Sequence, residues 1–121
     1  MAVERPARAH WRFYKTAAGR SPVEEFLDSI SLQDRAAIAA AMYEARIHGL
    51  RVARHIEGDL YELRASGLEA HYRLLFAREA KFVLLAVDAY DKDTQKLPLY
   101  VKKRALERLR DWRERGRKAN P

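Results

Sequence analysis

Three strand-like runs crowd into the stretch from Leu60 to Pro98, and the links between them are too short to hold helices. Leu60-Tyr-Glu-Leu-Arg64, His71 to Ala77 and Phe82 to Asp88 are rich in Leu, Val, Phe and Tyr and are bounded by Gly, Ser or charged residues. Such spacing predicts an antiparallel meander. Ser66-Gly67 suits the first turn, and Glu79-Ala80 is the expected second turn. A two-residue loop there sets His71 opposite Asp88 and Arg73 opposite Ala86. Tyr61 and Leu63 share one face of the first run, and Leu60, Glu62 and Arg64 share the other. Arginines recur on the strands at Arg64, Arg73 and Arg78. The last strand empties into a polar loop with Tyr90, Lys92, Gln95 and Lys96. Arginines and loop converging on one side would make a surface for phosphate.

Elements on either side of the meander extend it to an α+β fold. Trp11-Arg-Phe-Tyr-Lys15 reads as a first strand, after a flexible leader over residues 1–10. Ser21-Pro22 opens a helix to about Ile30, with Ser21 as N-cap, Glu24 completing a capping box and Glu25 also in the first turn. A second helix runs from Leu32 to His48, with Leu32, Ala36, Ala39, Ala40, Tyr43 and Ile47 as its stripe, and Gly49 ends it. Gly49 to Asp59 reads as an irregular basic loop carrying Arg51, Arg54 and His55. After Pro98, Val101, Ala105, Leu109 and Trp112 recur at helical spacing on a basic helix, and residues 116–121 should fray. The expected arrangement is an N-terminal strand, two helices, the meander and a basic C-terminal helix, with the helices on one side of the sheet. A single domain is expected over residues 11–115.

Charge is distributed unevenly. Residues 1–91 hold 13 basic and 13 acidic side chains, so residues 92–118, with 11 basic and 4 acidic, carry the formal net charge of +7. Such focusing favours a polyanion or an acidic protein as partner. With no cysteine there is no thiolate nucleophile or disulfide. Four scattered histidines argue against a structural metal, and no cofactor is expected. No apolar run reaches the length of a membrane span, and the first residues lack a secretory segment, so cytoplasm is the expected compartment.

The Gly19-Arg-Ser-Pro-Val23 helix start, Glu25-Phe-Leu27, Leu60-Tyr-Glu-Leu-Arg64, the Tyr72-Arg73 pair and the block Tyr90-Asp-Lys-Asp-Thr-Gln-Lys-Leu-Pro98 occur in an order that resembles the HigB-like, phage-derived toxins of the RelE/ParE superfamily. The resemblance covers roughly residues 11–112. It implies a RelE-like fold and the toxin of a type II toxin–antitoxin system: a metal-free, ribosome-dependent endoribonuclease that cuts messenger RNA and is neutralised by a helix-turn-helix antitoxin from the neighbouring gene. It also implies phosphate-binding roles for Arg64 and Arg73, and roles for Tyr90, Lys92 and Lys96 in the terminal block. His55 stands where a lysine is common. The family block usually has two adjacent lysines where this chain has Lys92 and Asp93, which leaves open a non-catalytic nucleic-acid- or partner-binding protein of the same fold. Gyrase-poisoning members of the superfamily leave a DNA-directed toxin open too.

Metal-free RNA cleavage needs a base for the 2′-hydroxyl, in-line geometry, a stabiliser for the phosphoryl oxygens and an acid for the leaving 5′-oxygen. Arg73 and Arg64 suit the third task, because guanidinium offers phosphate a rigid, permanently charged fork. His71 and His55 are candidates for the acid or the base, because imidazole as a residue type can do either. Lys92 would need desolvation or clustered cations to act as a base. Tyr90 is a candidate to stack on a base or to hydrogen-bond a phosphate. Arg51, Arg54, Lys96 and Gln95 are candidate RNA contacts, and Trp112 and Leu109 candidate partner contacts.

Overall fold

The computed structural model describes residues 8–92 and 96–119, with the side chains of residues 118 and 119 left out. Five strands form one mixed sheet: β1 (His10–Phe13), β2 (Arg54–Glu57), β3 (Leu60–Ser66), β4 (His71–Ala80) and β5 (Val83–Lys92). Their spatial order is β1-β5-β4-β3-β2. β1 runs parallel to β5, and every other neighbouring pair is antiparallel. Three helices complete the fold, α1 (Pro22–Ser29), α2 (Leu32–His48) and α3 (Leu99–Ala119). The α+β class expected from the sequence is therefore present.

The helices do not share one side of the sheet. Leu74-Leu75-Phe76-Ala77 and Leu84-Leu85-Ala86-Val87 are buried throughout, so both faces of β4 and β5 are apolar and both require cover. α1 and α2 cover the face of Leu63, Tyr72, Leu74 and Phe76, where Val23, Ile38, Met42 and Ala45 join the core. α3 covers the opposite face, burying Val101, Ala105 and Leu109 on Leu60, Leu75, Leu85 and Val87. The C-terminal helix is a structural layer, and its helical backbone continues to Ala119 through the segment expected to fray.

The basic loop before the meander is partly a strand. After a 3-10 turn at Gly49–Val52, Arg54-His-Ile-Glu57 pairs with β3 as the sheet's edge, and Gly58, at φ 54°, turns the chain between them. Charged residues are what an edge strand uses to blunt unwanted pairing, and they hide its period-two pattern. The β4–β5 turn falls at Lys81-Phe82 instead of Glu79-Ala80. With irregularities at Leu75/Phe76 and Arg78/Ala80, this shift pairs His71 with Lys92 and Arg73 with Tyr90. Ala9 and His10, expected in the leader, already belong to the fold. Ala9 is buried, and its N–H donates to the Arg46 carbonyl.

Two local expectations also change. Ser21 precedes α1, but its Oγ makes no cap hydrogen bond. The stripe that α2 buries is Asp34, Ile38, Met42 and Ala45, whereas Leu32, Ala36, Ala39, Ala40 and Tyr43 face outward. A carboxylate at the head of the true stripe disguised it. Asp34 accepts from the Tyr72 hydroxyl at 2.5 Å and from Leu68 and Glu69 N–H at 2.6 and 3.1 Å, fastening α2 to the β3–β4 turn. Gly49 ends α2 at φ 66°, ψ −146°, a region costly for side chains. Gly49→Ala is expected to cost about 1–2 kcal/mol in urea unfolding without changing the m-value.

Candidate functional site

Alternation along β3 and β4, and along β5 where the irregularity opposite Leu75/Phe76 resets it, sends side chains to the α3 face, and register lines these up in rows across the sheet. Glu62 pairs with Arg54 on one side and Leu75 on the other. One row further from the core, Arg64 lies opposite Arg73, and Arg73 opposite Tyr90. The last row is Ser66, His71 and Lys92. α3 begins only at Leu99, and a cleft of about 360 Å³ opens beside these rows. Arg54, Glu62, Tyr90, Lys92, Lys96 and Lys102 line it, with Ile56, Leu97 and Leu99 as apolar wall.

Cations dominate the electrostatics of this face. Two arginines directly opposite one another repel, and only a counter-ion makes the arrangement tolerable. Glu62 supplies it: its carboxylate is 3.5 Å from Arg73 Nε and 3.6 Å from Arg64 Nε. These contacts are long for charge-assisted hydrogen bonds. Arg73 is only 8% exposed, and its Nη1 donates to the Tyr72 carbonyl at 3.0 Å. Its buried Nε and the buried Tyr90 hydroxyl have no hydrogen-bond partner among the described residues. Four cations, Arg54, Arg64, Arg73 and Lys92, thus cluster around the Glu62 carboxylate.

Burial shifts the ionisations. It holds Arg73 below the usual guanidinium range, opposed by Glu62. It pushes the Tyr90 phenol up to about 12, with Glu62 adding to the rise, so the hydroxyl is a neutral donor. Desolvation, and then Arg73 and Arg64, lower Lys92, while Glu62 opposes them. His71 is exposed, and its Nδ1 lies 3.0 Å from Ser66 Oγ, which orients the ring.

Among the candidates from the sequence, Arg54, Arg64, His71, Arg73, Tyr90 and Lys92 come together on this face, with Lys96 at the cleft. His55 lines the cleft from the edge strand, its Nε2 2.7 Å from the Gly58 carbonyl and its ring against Tyr61. Arg51 lies in the 3-10 turn, apart from the rows. Gln95 and Asp93 lie outside the described residues. Leu109 is buried on the side of α3 that faces the sheet, and Trp112 packs on the same core, with the Arg12 guanidinium 5.0 Å from its ring. Neither Glu62 nor Ser66 stood out as a site residue, although the alternation Leu60, Glu62, Arg64 already placed Glu62 among the arginines. Among the described residues, no group of three or more His, Asp or Glu could hold a metal ion.

Most of the basic charge on α3 is spent within the fold. Arg104 donates to both oxygens of the buried Asp88 at 2.7 and 2.9 Å, and Arg108 donates to the Val87 carbonyl. Arg113 bridges Glu79 and Asp59, and Lys102 pairs with Glu57. No helix among the described residues is long and apolar enough to cross a membrane.

Comparison with known proteins gives a consistent picture. The family model described as "Phage derived protein Gp49-like" matches residues 25–110. Two relatives, from Mycobacterium tuberculosis strains CDC 1551 / Oshkosh and ATCC 25618 / H37Rv, carry the name "Probable endoribonuclease HigB1". Each is 32% identical over 111 residues, covering 88% of this chain and 87% of its own length.

Proposed function

The chain belongs to the Gp49-like family of phage-derived, HigB-like toxins, and from that premise we propose that it is an endoribonuclease of a type II toxin–antitoxin system, with a RelE-like fold, that cuts messenger RNA on the ribosome without a metal. The observation that carries this reading is the pair of adjoining rows, Arg64–Arg73–Tyr90 and Ser66–His71–Lys92, beside a cleft lined with cations. In this reading the scissile phosphate lies on Arg73 and Arg64, and Tyr90 donates to a phosphoryl oxygen. His71, oriented by Ser66, takes the proton of the 2′-hydroxyl. That oxygen attacks the adjacent phosphorus, the bond to the 5′-oxygen breaks, and Lys92 returns a proton to the leaving oxygen. The products are a 2′,3′-cyclic phosphate and a 5′-hydroxyl. The partner that silences it is an antitoxin from the neighbouring gene.

Induced expression in a bacterial host, with and without the adjacent gene, tests the reading while new 5′ ends in messenger RNA are mapped. The expected result is arrested growth with cuts at defined codon positions, both abolished by co-expression. Intact messages alongside damaged DNA would redirect the assignment to gyrase. Intact messages and normal growth from soluble protein would leave a binding module.

A further inference from the structure

We propose that Tyr100 is a stacking platform for an unpaired nucleobase of the RNA strand whose backbone lies in the cleft, a contact that rests on reading the cleft as an RNA site. Tyr100 is 68% exposed, the most open aromatic side chain among the described residues. It stands in the first turn of α3 between Leu99 and Lys102, both of which line the cleft. Exposing a large ring beside an apolar leucine has no merit for a solvated helix start. Asp or Glu would suit such a position better, and this first turn has no acidic residue.

The ring is also held in place. The Arg104 guanidinium lies over it, 5.8 Å from its centroid, and Arg104 is itself pinned by two hydrogen bonds to Asp88. Asp88 precedes Tyr90 by two residues on the same face of β5 and pairs with Leu75, so the clamp anchors Tyr100 at the row next to that of Arg73 and Tyr90. A base stacked on the open side of the ring extends an arginine–tyrosine pile, while its phosphates face Lys92, Lys96 and Lys102. Stacking of this kind accepts any base and adds affinity without sequence choice.

Fluorescence anisotropy of a short fluorescein-labelled single-stranded oligoribonucleotide tests it, with wild type, Tyr100→Ala, Tyr100→Leu, Tyr100→Trp and the cleft variant Lys92→Met. Tyr100→Ala and Tyr100→Leu are expected to bind about tenfold more weakly, and Tyr100→Trp as tightly as wild type. With an abasic oligomer, Tyr100→Ala is expected to make no difference, while Lys92→Met still weakens binding. If Lys92→Met weakens binding and Tyr100→Ala does not, the platform is wrong and the cleft reading stands. Equal loss for Tyr100→Ala on the abasic strand overturns stacking in the same way. Failure of wild type to bind the oligomer, or to bind it on ribosomes, overturns both.

Discussion

Arg73→Ala is expected to lower RNA cleavage about 10²–10³-fold and to abolish growth inhibition, the loss found when one donor to a developing oxyanion is removed. Arg73 is the one arginine among the described residues that is buried. It is nearly buried, tied to the Tyr72 carbonyl, and flanked in register by Arg64 and Tyr90. Its Nε faces the Glu62 carboxylate at 3.5 Å, so the guanidinium is held in orientation before any RNA arrives. The substitution has a second effect, because it leaves the buried Glu62 with Arg64 as its remaining partner within 4 Å, and an unpaired buried carboxylate destabilises a fold. Arg73→Ala combined with Glu62→Gln removes that charge. It should melt near the wild-type temperature and remain inactive. Arg73→Lys keeps the charge but loses the fork, so most of the activity should still go. Full toxicity from soluble Arg73→Ala protein would place the chemistry elsewhere.

The largest effect on stability should come from the other side of the sheet. Asp34→Ala is expected to lower Tm by roughly 10 °C, because the Tyr72 hydroxyl and two backbone N–H groups of the β3–β4 turn lose their shared acceptor at once. The hydrogen bond from Tyr72 holds the Asp34 carboxyl below the usual aspartate range, with the turn N–H groups assisting and burial opposing. A carboxyl depressed in the folded state contributes stability that is complete above its unfolded pKa and is lost as pH falls through the folded one. Wild-type Tm should therefore decline with acidification below the ordinary aspartate range, and Asp34→Asn should flatten that part of the profile. Gly67→Ala tests the same joint from the turn side, since a Cβ there overlaps the Asp34 carboxylate. Thermal melts of the three variants across pH decide the matter. A Tm for Asp34→Ala within a degree or two of wild type would remove Asp34 from this role.

The meander, the bounds of α1 and α2 and the face shared by Glu62 and Arg64 were readable because each depends on local spacing. What escaped depended on neighbours. β2 escaped because an edge strand carries charge, and its partner is known only once β3 is placed. The β4–β5 register needed two irregularities that no residue type announces. The stripe of α2 is hard to read because alanines surround the helix and a fully buried aspartate heads the stripe. The layering of α3 was the more accessible miss, since unbroken apolar runs in β4 and β5 already ask for cover on both faces. The site shows the same division. Arg64, Arg73, Tyr90 and Lys92 were singled out from the sequence, whereas Glu62 gains its meaning from the cations that the sheet assembles around it.

The parallel pairing of β1 with β5 bears on the order in which the molecule assembles. His10 to Phe13 are made well before their partners and have none until Val83 to Ala86 have been synthesised, and the Tyr14 N–H bonds to the Ala86 carbonyl. Contacts so distant along the chain close slowly and late. Helices α1 and α2 can form beforehand, but the apolar side of α2 must wait for the sheet, with Trp11 unable to rest on Phe76 or to reach the Met42 carbonyl. During translation, then, the amino-terminal strand is a tether held in reserve, and the cleft comes into being only when the last strand has threaded between the first and the fourth.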